Sequence, residues 1–329
     1  MSIITSIYSE KADAPFLVER KRDGGNASSN DSGLDELLDW KSDNVELLQD
    51  KLSTHGAILF RNFDVNTVLL FDRFLEHFKE ASLLDYVGGN SPRTKMSQGI
   101  YTSTEYPADQ FISLHNELSY GEQWPAQLFF CCVTAPNADG NTLIADGRKV
   151  LQWLDPELVD MFETRKVKYI RNLHGGRGLG PSWQDTFESQ DRDEVTEICK
   201  NSNIDFQWKK DGSLRTCQIG SGVEEHPITK EKVWFNQADQ FHPSNHPPKF
   251  YEALMHMYAG RLHDCPTHAC FGDDSPIEDA MLASVRNAFK KQTIYFPWQQ
   301  GDVLLIDNML MSHGRAAFSG PRKILVAMS

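Results

Sequence analysis

The sequence predicts a mainly β fold, the two packed sheets of a jelly roll, with helices on the outside. Three observations carry this. Short β-branched or aromatic runs, each bounded by Gly, Pro, Asn or Asp, recur along the chain. The regular βαβ alternation of a doubly wound sheet is missing from the second half, and no Gly-x-Gly-x-x-Gly follows a strand. Helical periodicity is confined to a few segments between the runs.

In chain order, residues 1–55 read as an N-terminal arm and helix, interrupted by a polar Gly/Ser/Asn-rich loop over 22–35. Strands are expected over 56–60, 111–117, 126–134, 142–145, 167–171, 214–219, 233–236, 293–297, 303–307 and 323–328. A helix over 66–80 puts Leu70, Phe74, Leu75 and Phe78 on one face, with Asn66 as its N-cap. A second covers 150–164. Ser275-Pro276-Ile277-Glu278 has the form of a capping box with Pro at the first helical position, and opens a third helix to about Lys290. Residues 172–210 read as an insertion. Its start, NLHGGRGLG, lacks the Lys-Ser/Thr of a phosphate loop. Its acidic stretch 185–203 has helical character, and a lid over a site is the expected role. No break is strong enough to divide the chain, so 1–329 reads as one domain.

The 329 residues carry a formal net charge of −13, with 40% hydrophobic and 24% charged side chains. A chain of this size buries enough surface for a real core, and the composition is not collagen-like, coiled-coil or disordered. The acidity speaks against a nucleic-acid partner, because neutralising phosphates needs a basic footprint. No apolar stretch reaches the ~18 residues of a spanning helix. The start, MSIITSIYSEKADAP, lacks the basic region and apolar run of a secretory signal. The expectation is a cytoplasmic protein with no membrane partner. The charge is uneven: residues 290–329 hold two acids and five bases, which suits a small anion there. The six cysteines read as reduced, buried thiols. Cys131 and Cys132 are neighbours on a strand, so they point to opposite faces.

The chemistry sits in two segments. In Phe111-Ile112-Ser113-Leu114-His115-Asn116-Glu117, the strand period of two puts His115 and Glu117 on one face. An imidazole and a carboxylate together favour Fe(II), Zn or Mn over Cu(I) or an iron–sulfur cluster. The second segment runs from the strand Gly301–Asn308 into Met309-Leu310-Met311-Ser312-His313-Gly314-Arg315, and Arg322 opens the next strand. Two histidines and one carboxylate, His115, Glu117 and His313, make the facial triad of non-haem Fe(II) oxygenases, which leaves three octahedral positions free.

With these residues the sequence resembles the 2-oxoglutarate-dependent oxygenases of the TauD/TfdA family, and within it the clavaminate-synthase-like and SyrP-like members. The matching stretches are TSTEYPADQFISLHNELSY, PNADGNTLIADGRKVL, KVWFNQ and PWQQGDVLLIDNMLMSHGRAAFSGPRKIL, spread from about Tyr86 to the C-terminus. The resemblance implies a cupin-like double-stranded β-helix with helical insertions, and Fe(II), 2-oxoglutarate and O2 as cofactor and cosubstrates. It implies that His115, Glu117 and His313 are catalytic iron ligands and that Arg322 pairs with the distal carboxylate of 2-oxoglutarate. A guanidinium fork meets a carboxylate bidentately and stays charged when desolvated. Thr142 matches the family threonine that hydrogen-bonds the same cosubstrate, although the preceding turn is Gly140-Asn141 where Gly-Gly is frequent. Arg315 is a further cosubstrate candidate, or it orders the metal loop through backbone carbonyls. Val326 stands where some members carry a second arginine, which argues against a taurine-like sulfonate. Gln98, Thr102, Leu114, Trp234 and Asn236 are the candidates for the substrate pocket, and Arg93 or Arg171 could meet a substrate carboxylate.

Family halogenases have a small residue in place of the carboxylate ligand, so Glu117 points to hydroxylation of an unactivated C–H bond, with desaturation or epoxidation open to the same oxidant. SyrP-like relatives imply an amino-acid-type small-molecule substrate, free or tethered to a carrier protein, in natural-product biosynthesis. The competing readings are a zinc or manganese hydrolase at the same triad, and a non-enzymatic cupin-like binding protein. Elsewhere, His263, Cys265, His268 and Cys270 mix potential soft ligands, but their spacing matches no common zinc motif and reads as a polar loop. His242 and His246, split by prolines, read as a surface loop.

Overall fold

Two sheets face one another across an apolar interior. A computed structural model describes residues 2–9, 13–21, 32–84, 93–103 and 106–329. Most of the polar stretch 22–35 lies outside the described residues. The larger sheet runs in the order Ile3–Ile7, Phe16–Arg20, Ala57–Arg61, Val303–Asp307, Gln127–Thr134, Lys323–Met328, Ile100–Thr102, Lys95–Ser97. The smaller runs Ile294–Phe296, Thr142–Asp146, Met311–Arg315, Ile112–His115. This is the jelly roll that the short strands predict.

Alternation along the central strands builds two apolar layers from one sheet. Leu304 and Ile306 point inward with Phe130, Cys132, Ile324 and Val326, and meet Ile144, Phe296 and Met311 of the smaller sheet. Val303 and Leu305 point outward with Phe129, Cys131 and Leu325. The adjacent cysteines thus part to opposite faces, and all six cysteines are free thiols. The outer layer is covered by the helix Val68–Phe78, whose Phe74 packs edge-on against Phe60 and Phe129. Thr67, not Asn66, caps that helix: its hydroxyl accepts the Leu70 N–H.

A third sheet, Asp205–Trp208, Leu214–Gly220, Val167–Leu173, Thr267–Phe271, lies beside the jelly roll. The predicted insertion belongs to it. Helices Trp183–Phe187 and Arg192–Asn201 close their own small core, Leu173, Trp183, Phe187, Val195, Cys199, Ile204 and Leu214.

Four other expectations change. The helix expected over 150–164 is two, Gly147–Leu151 and Pro156–Arg165, because Asp155 caps a new start and Pro156 takes its first position. The third helix begins at Asp279, since Ser275 is held in a turn by the Asp273 carboxylate and is not an N-cap. The segment 261–270 ends in a buried strand, Thr267–Phe271, and not in a polar loop. Similarly, His242 is buried at 1% exposure, while His246 is exposed as expected. No helix among the described residues is long and apolar enough to cross a membrane.

Candidate metal and cosubstrate site

The smaller sheet sets the histidines side by side. Strands Met311–Arg315 and Ile112–His115 are antiparallel with His313 directly opposite His115, and the ring centroids are 4.4 Å apart. The approach is so close that a Cβ at Gly314 would stand 2.6 Å from the Ile112 carbonyl oxygen, so only glycine fits. The register between these strands slips between His313 and Arg315.

Glu117 arrives differently from the expected strand. The strand stops at His115, and Glu117 enters from the turn that follows, before Leu118 at φ +55°. The intervening Asn116 is the fastener. Its side-chain amide donates to the Asn308 carbonyl at 2.7 Å and its Oδ1 accepts from Ser312 at 2.9 Å. The Asn308 side chain in turn holds the Glu117 backbone on both sides. Neither asparagine stands out as functional in the sequence, because a buried amide clamp leaves no spacing signature.

One ligand atom each from His115, Glu117 and His313 lies within 4.8 Å of the other two, and all three residues are buried. The Ser113 carbonyl engages His115 Nδ1 at 2.8 Å, which leaves Nε2 for a metal. His313 Nε2 is 3.6 Å from Glu117 Oε2, too long for a good hydrogen bond, and its Nδ1 is buried without a partner. Burial, with the neighbouring His313, pushes the His115 imidazole down to about 4, so the ring is neutral and ready to coordinate. Burial alone would raise the Glu117 carboxyl. The Arg93 guanidinium, donating to Oε2 at 2.7 Å, and His313 instead hold it well below the usual carboxylate range. A preformed, deprotonated set of two imidazoles and one carboxylate fits a divalent iron.

The cavity beside the triad is lined by Arg93, Ser103, Phe130, Thr142, Arg315 and Arg322, besides the histidines. Arg322 stands at the head of strand Lys323–Met328; its guanidinium lies 5.5 Å over the Phe318 ring and makes long contacts to the Gly140 carbonyl at 3.3 Å and the Ser103 hydroxyl at 3.4 Å. Among the described residues no carboxylate pairs with it. Burial and the facing Arg315 lower it to about 10, still charged at neutral pH. A buried cation is costly unless an anion meets it, and among the described residues none does. Thr142, opposite Arg315 across two strands, accepts the Trp298 indole N–H at 2.9 Å, which leaves its hydroxyl proton to donate. Gly140 sits at φ +65°, where a Cβ would strike Phe318 and Pro136, so the Gly-Asn turn keeps the one glycine that the backbone demands.

Arg315 gives its two terminal nitrogens to the carbonyls of Tyr106, Pro107 and Gln110 while still lining the cavity. The substrate-pocket candidates are scattered. Trp234 is buried against Phe162 in the helical layer, and Leu114 packs beside that layer. Asn236 spends its amide on Gly222 and Ala238. Thr102 accepts the Thr94 N–H, and Gln98 is exposed in a hairpin turn. None of these five lines the cavity. Arg171 is buried in the third sheet against Tyr120 and Phe187, whereas Arg93 is in the cavity. Phe130 and Trp298 are invisible in the sequence as site residues, because each sits in an apolar run that reads as core.

A jelly roll with such a triad between its sheets, and a buried arginine across the cavity, defines a metal-dependent oxygenase of the double-stranded β-helix class. Comparisons bear on which. The family described as taurine catabolism dioxygenase TauD, TfdA family matches residues 22–328. The chain is 37% identical over 303 residues to the dapdiamide synthesis protein DdaC of Enterobacter agglomerans, covering 92% of this chain and 89% of that one. It is 29% identical to a clavaminate synthase-like protein of Arabidopsis thaliana, over 85% and 83% of the two chains. The same fold recurs in PvcB of Pseudomonas aeruginosa (TM-score 0.54, 17% identity, 99% and 91% covered). It recurs also in AAD-2 bound to Mn(II) and N-oxalylglycine (TM-score 0.55, 13% identity, 100% and 97% covered). The chain belongs to the TauD/TfdA family. It is a 2-oxoglutarate-dependent dioxygenase, with Fe(II) as metal and O2 as second cosubstrate.

Proposed function

We propose that this enzyme hydroxylates an unactivated C–H bond of an amino-acid-type substrate, free or carrier-tethered, in a biosynthetic tailoring step in the cytoplasm. The observation that carries the reading is the pairing of a complete two-histidine, one-carboxylate set with a buried, anion-seeking Arg322 in one cavity. In this reading His115 Nε2, Glu117 and His313 hold the iron. The metal, when bound, supplies the centre at which 2-oxoglutarate and O2 are consumed and the C–H bond is oxidised. The chain's own part is binding and exclusion. Arg322 takes the distal carboxylate of 2-oxoglutarate as a charge-assisted fork, and the Thr142 hydroxyl donates to the same group, aimed by Trp298. Phe130, 5.2 Å from the His313 ring, lines the cavity with an apolar wall and keeps water out. Arg315, tied to three carbonyls, holds the rim and adds positive potential.

Glu117 supports oxygen transfer over halogenation, since a carboxylate fills the position that a halide would need. Arg93 is the group best placed for a substrate carboxylate: it is in the cavity and already binds one carboxylate, that of Glu117. The similarity to a dapdiamide synthesis protein supports a place in a biosynthetic pathway. The folded insertion over 172–210 is the proposed lid.

The test is a substrate screen under O2 with free amino acids and their carrier-bound thioesters. It reads succinate release and the mass of the organic product. Hydroxylation is expected to add one oxygen to a saturated carbon. Loss of two hydrogens, or oxygen added across a double bond, would replace hydroxylation by desaturation or epoxidation. Turnover without O2 or 2-oxoglutarate would remove the oxygenase chemistry from this site.

A further inference from the structure

We propose a second metal site, distinct from the triad, in which His263, His268 and Cys270 bind a soft divalent cation, zinc above all. His268 and Cys270 are two residues apart on strand Thr267–Phe271, so both project from the same face of the third sheet's edge. His263 reaches over them from the short 3-10 turn Leu262–Asp264. One ligand atom from each of the three lies within 4.8 Å of the others.

A second observation points to a ligand. His268 is 2% exposed and its Nδ1 is buried without a hydrogen-bond partner. Next to it, at 5.4 Å between ring centroids, His242 is 1% exposed and its Nε2 is likewise buried without a partner. Natural proteins rarely leave such atoms unmade. Two such atoms on neighbouring rings, one of them in the set beside a thiol, match a position that takes a cation. The turn that carries His263 is already braced. Asn172 donates to the carbonyls of His263 and Cys265, and Arg215 donates to that of His263. Binding would therefore order little that is not ordered already, and would pin the turn to the sheet edge.

The donor set names the metal. Two imidazoles and a thiolate suit zinc, whereas calcium and magnesium take oxygen ligands. No acidic side chain belongs to the set. Cys270 is a buried thiol, and its proton is released to solvent as the metal–sulfur bond forms.

The thiol also separates this site from the iron triad, which has none. The full chain, stripped with a chelator and titrated anaerobically with Co(II), is expected to develop a sulfur-to-cobalt charge-transfer band. Cys270→Ser should abolish the band while the bands of cobalt in the triad persist. His263→Ala touches an exposed residue and should leave the fold intact. It should weaken the thiolate-bound cobalt by at least about tenfold, a loss that even outer-shell changes produce. Zn(II) should displace this cobalt. Absence of the band in the unmodified chain would overturn the site. So would its survival in Cys270→Ser, or cobalt binding unmoved in His263→Ala.

Discussion

Asn308 holds the peptide of Glu117 on both sides: its Oδ1 accepts the Glu117 N–H at 2.8 Å and its Nδ2 donates to the Glu117 carbonyl at 3.0 Å. The same Nδ2 reaches the Pro125 carbonyl, and the Asn308 carbonyl accepts from Asn116. Glu117, the proposed carboxylate ligand, comes from a turn, so it lacks the strand ladder that orients His115 and His313. Asn308 replaces that ladder. Asn308→Ala is expected to weaken Fe(II) binding about 10- to 100-fold, as loss of an outer-shell support does. It should also destabilise the fold by at least about 2 kcal/mol through the buried groups left unpaired. Fe(II) titration and urea unfolding of the same variant check both.

The cosubstrate pocket predicts a graded series. Arg322→Ala removes a charge-assisted hydrogen-bond pair worth about 1.5–3 kcal/mol, so KM for 2-oxoglutarate should rise about 10- to 100-fold. Thr142→Val removes one neutral donor and should raise KM by less. Trp298→Phe leaves the hydroxyl in place but frees it to rotate, and should give the smallest rise. Steady-state kinetics with 2-oxoglutarate as varied substrate rank the three, and an Arg322→Ala value within twofold of the parent would remove the assigned role.

Much of this site is legible in the sequence because its parts lie on strands. His313, Thr142 and Arg322 sit in or beside buried β runs whose period fixes which way they point. Glu117 has the right neighbours for a different reason: it is off the strand, and a clamp between two distant asparagines puts it there. That clamp joins residues nearly two hundred positions apart, which no local pattern records. The substrate candidates show the reverse. Trp234 and Asn236 lie in a motif that reads as pocket, yet Trp234 is buried against Phe162 and Asn236 ties the Gly222 carbonyl to the Ala238 N–H. At Val68 two neighbours of similar capping strength competed, and the Thr67 hydroxyl, not Asn66, met the first turn; at Asp279 no side chain caps the helix, and the Ser275 signal is spent on a turn with Asp273.

Metal removal gives a third expectation. A cation that binds only the folded chain stabilises it by mass action, by about 2.7 kcal/mol at a hundredfold excess over its Kd. Chelator-treated protein should therefore melt several degrees below protein supplied with Fe(II) under anaerobic conditions. His115→Ala should lose most of that difference, because the remaining pair cannot close the site. An unchanged melting temperature on adding Fe(II) would mean that the triad does not hold it.

The buried histidines of the third sheet predict an acid-sensitive fold. Burial pushes His242 down to about 4, with Arg286 adding to the shift and Asp279 opposing it. Burial, with His242, His263 and Arg215, pushes His268 down to about 3. In the unfolded chain both return to about 6.5. Between that value and the folded ones, the unfolded chain binds protons that the folded chain refuses, so stability falls as pH drops. Above about pH 6.5 both states are neutral and these groups add no slope. In metal-free protein, unfolding free energy should thus decline from about pH 6.5 toward 4, and His268→Gln should flatten part of that decline. With zinc bound the decline should steepen, since protons then compete with the metal for the same nitrogens. Urea unfolding at a series of pH values, with and without chelator, measures both slopes. Equal slopes for the parent and His268→Gln without metal would show that the ring is not held neutral by its burial.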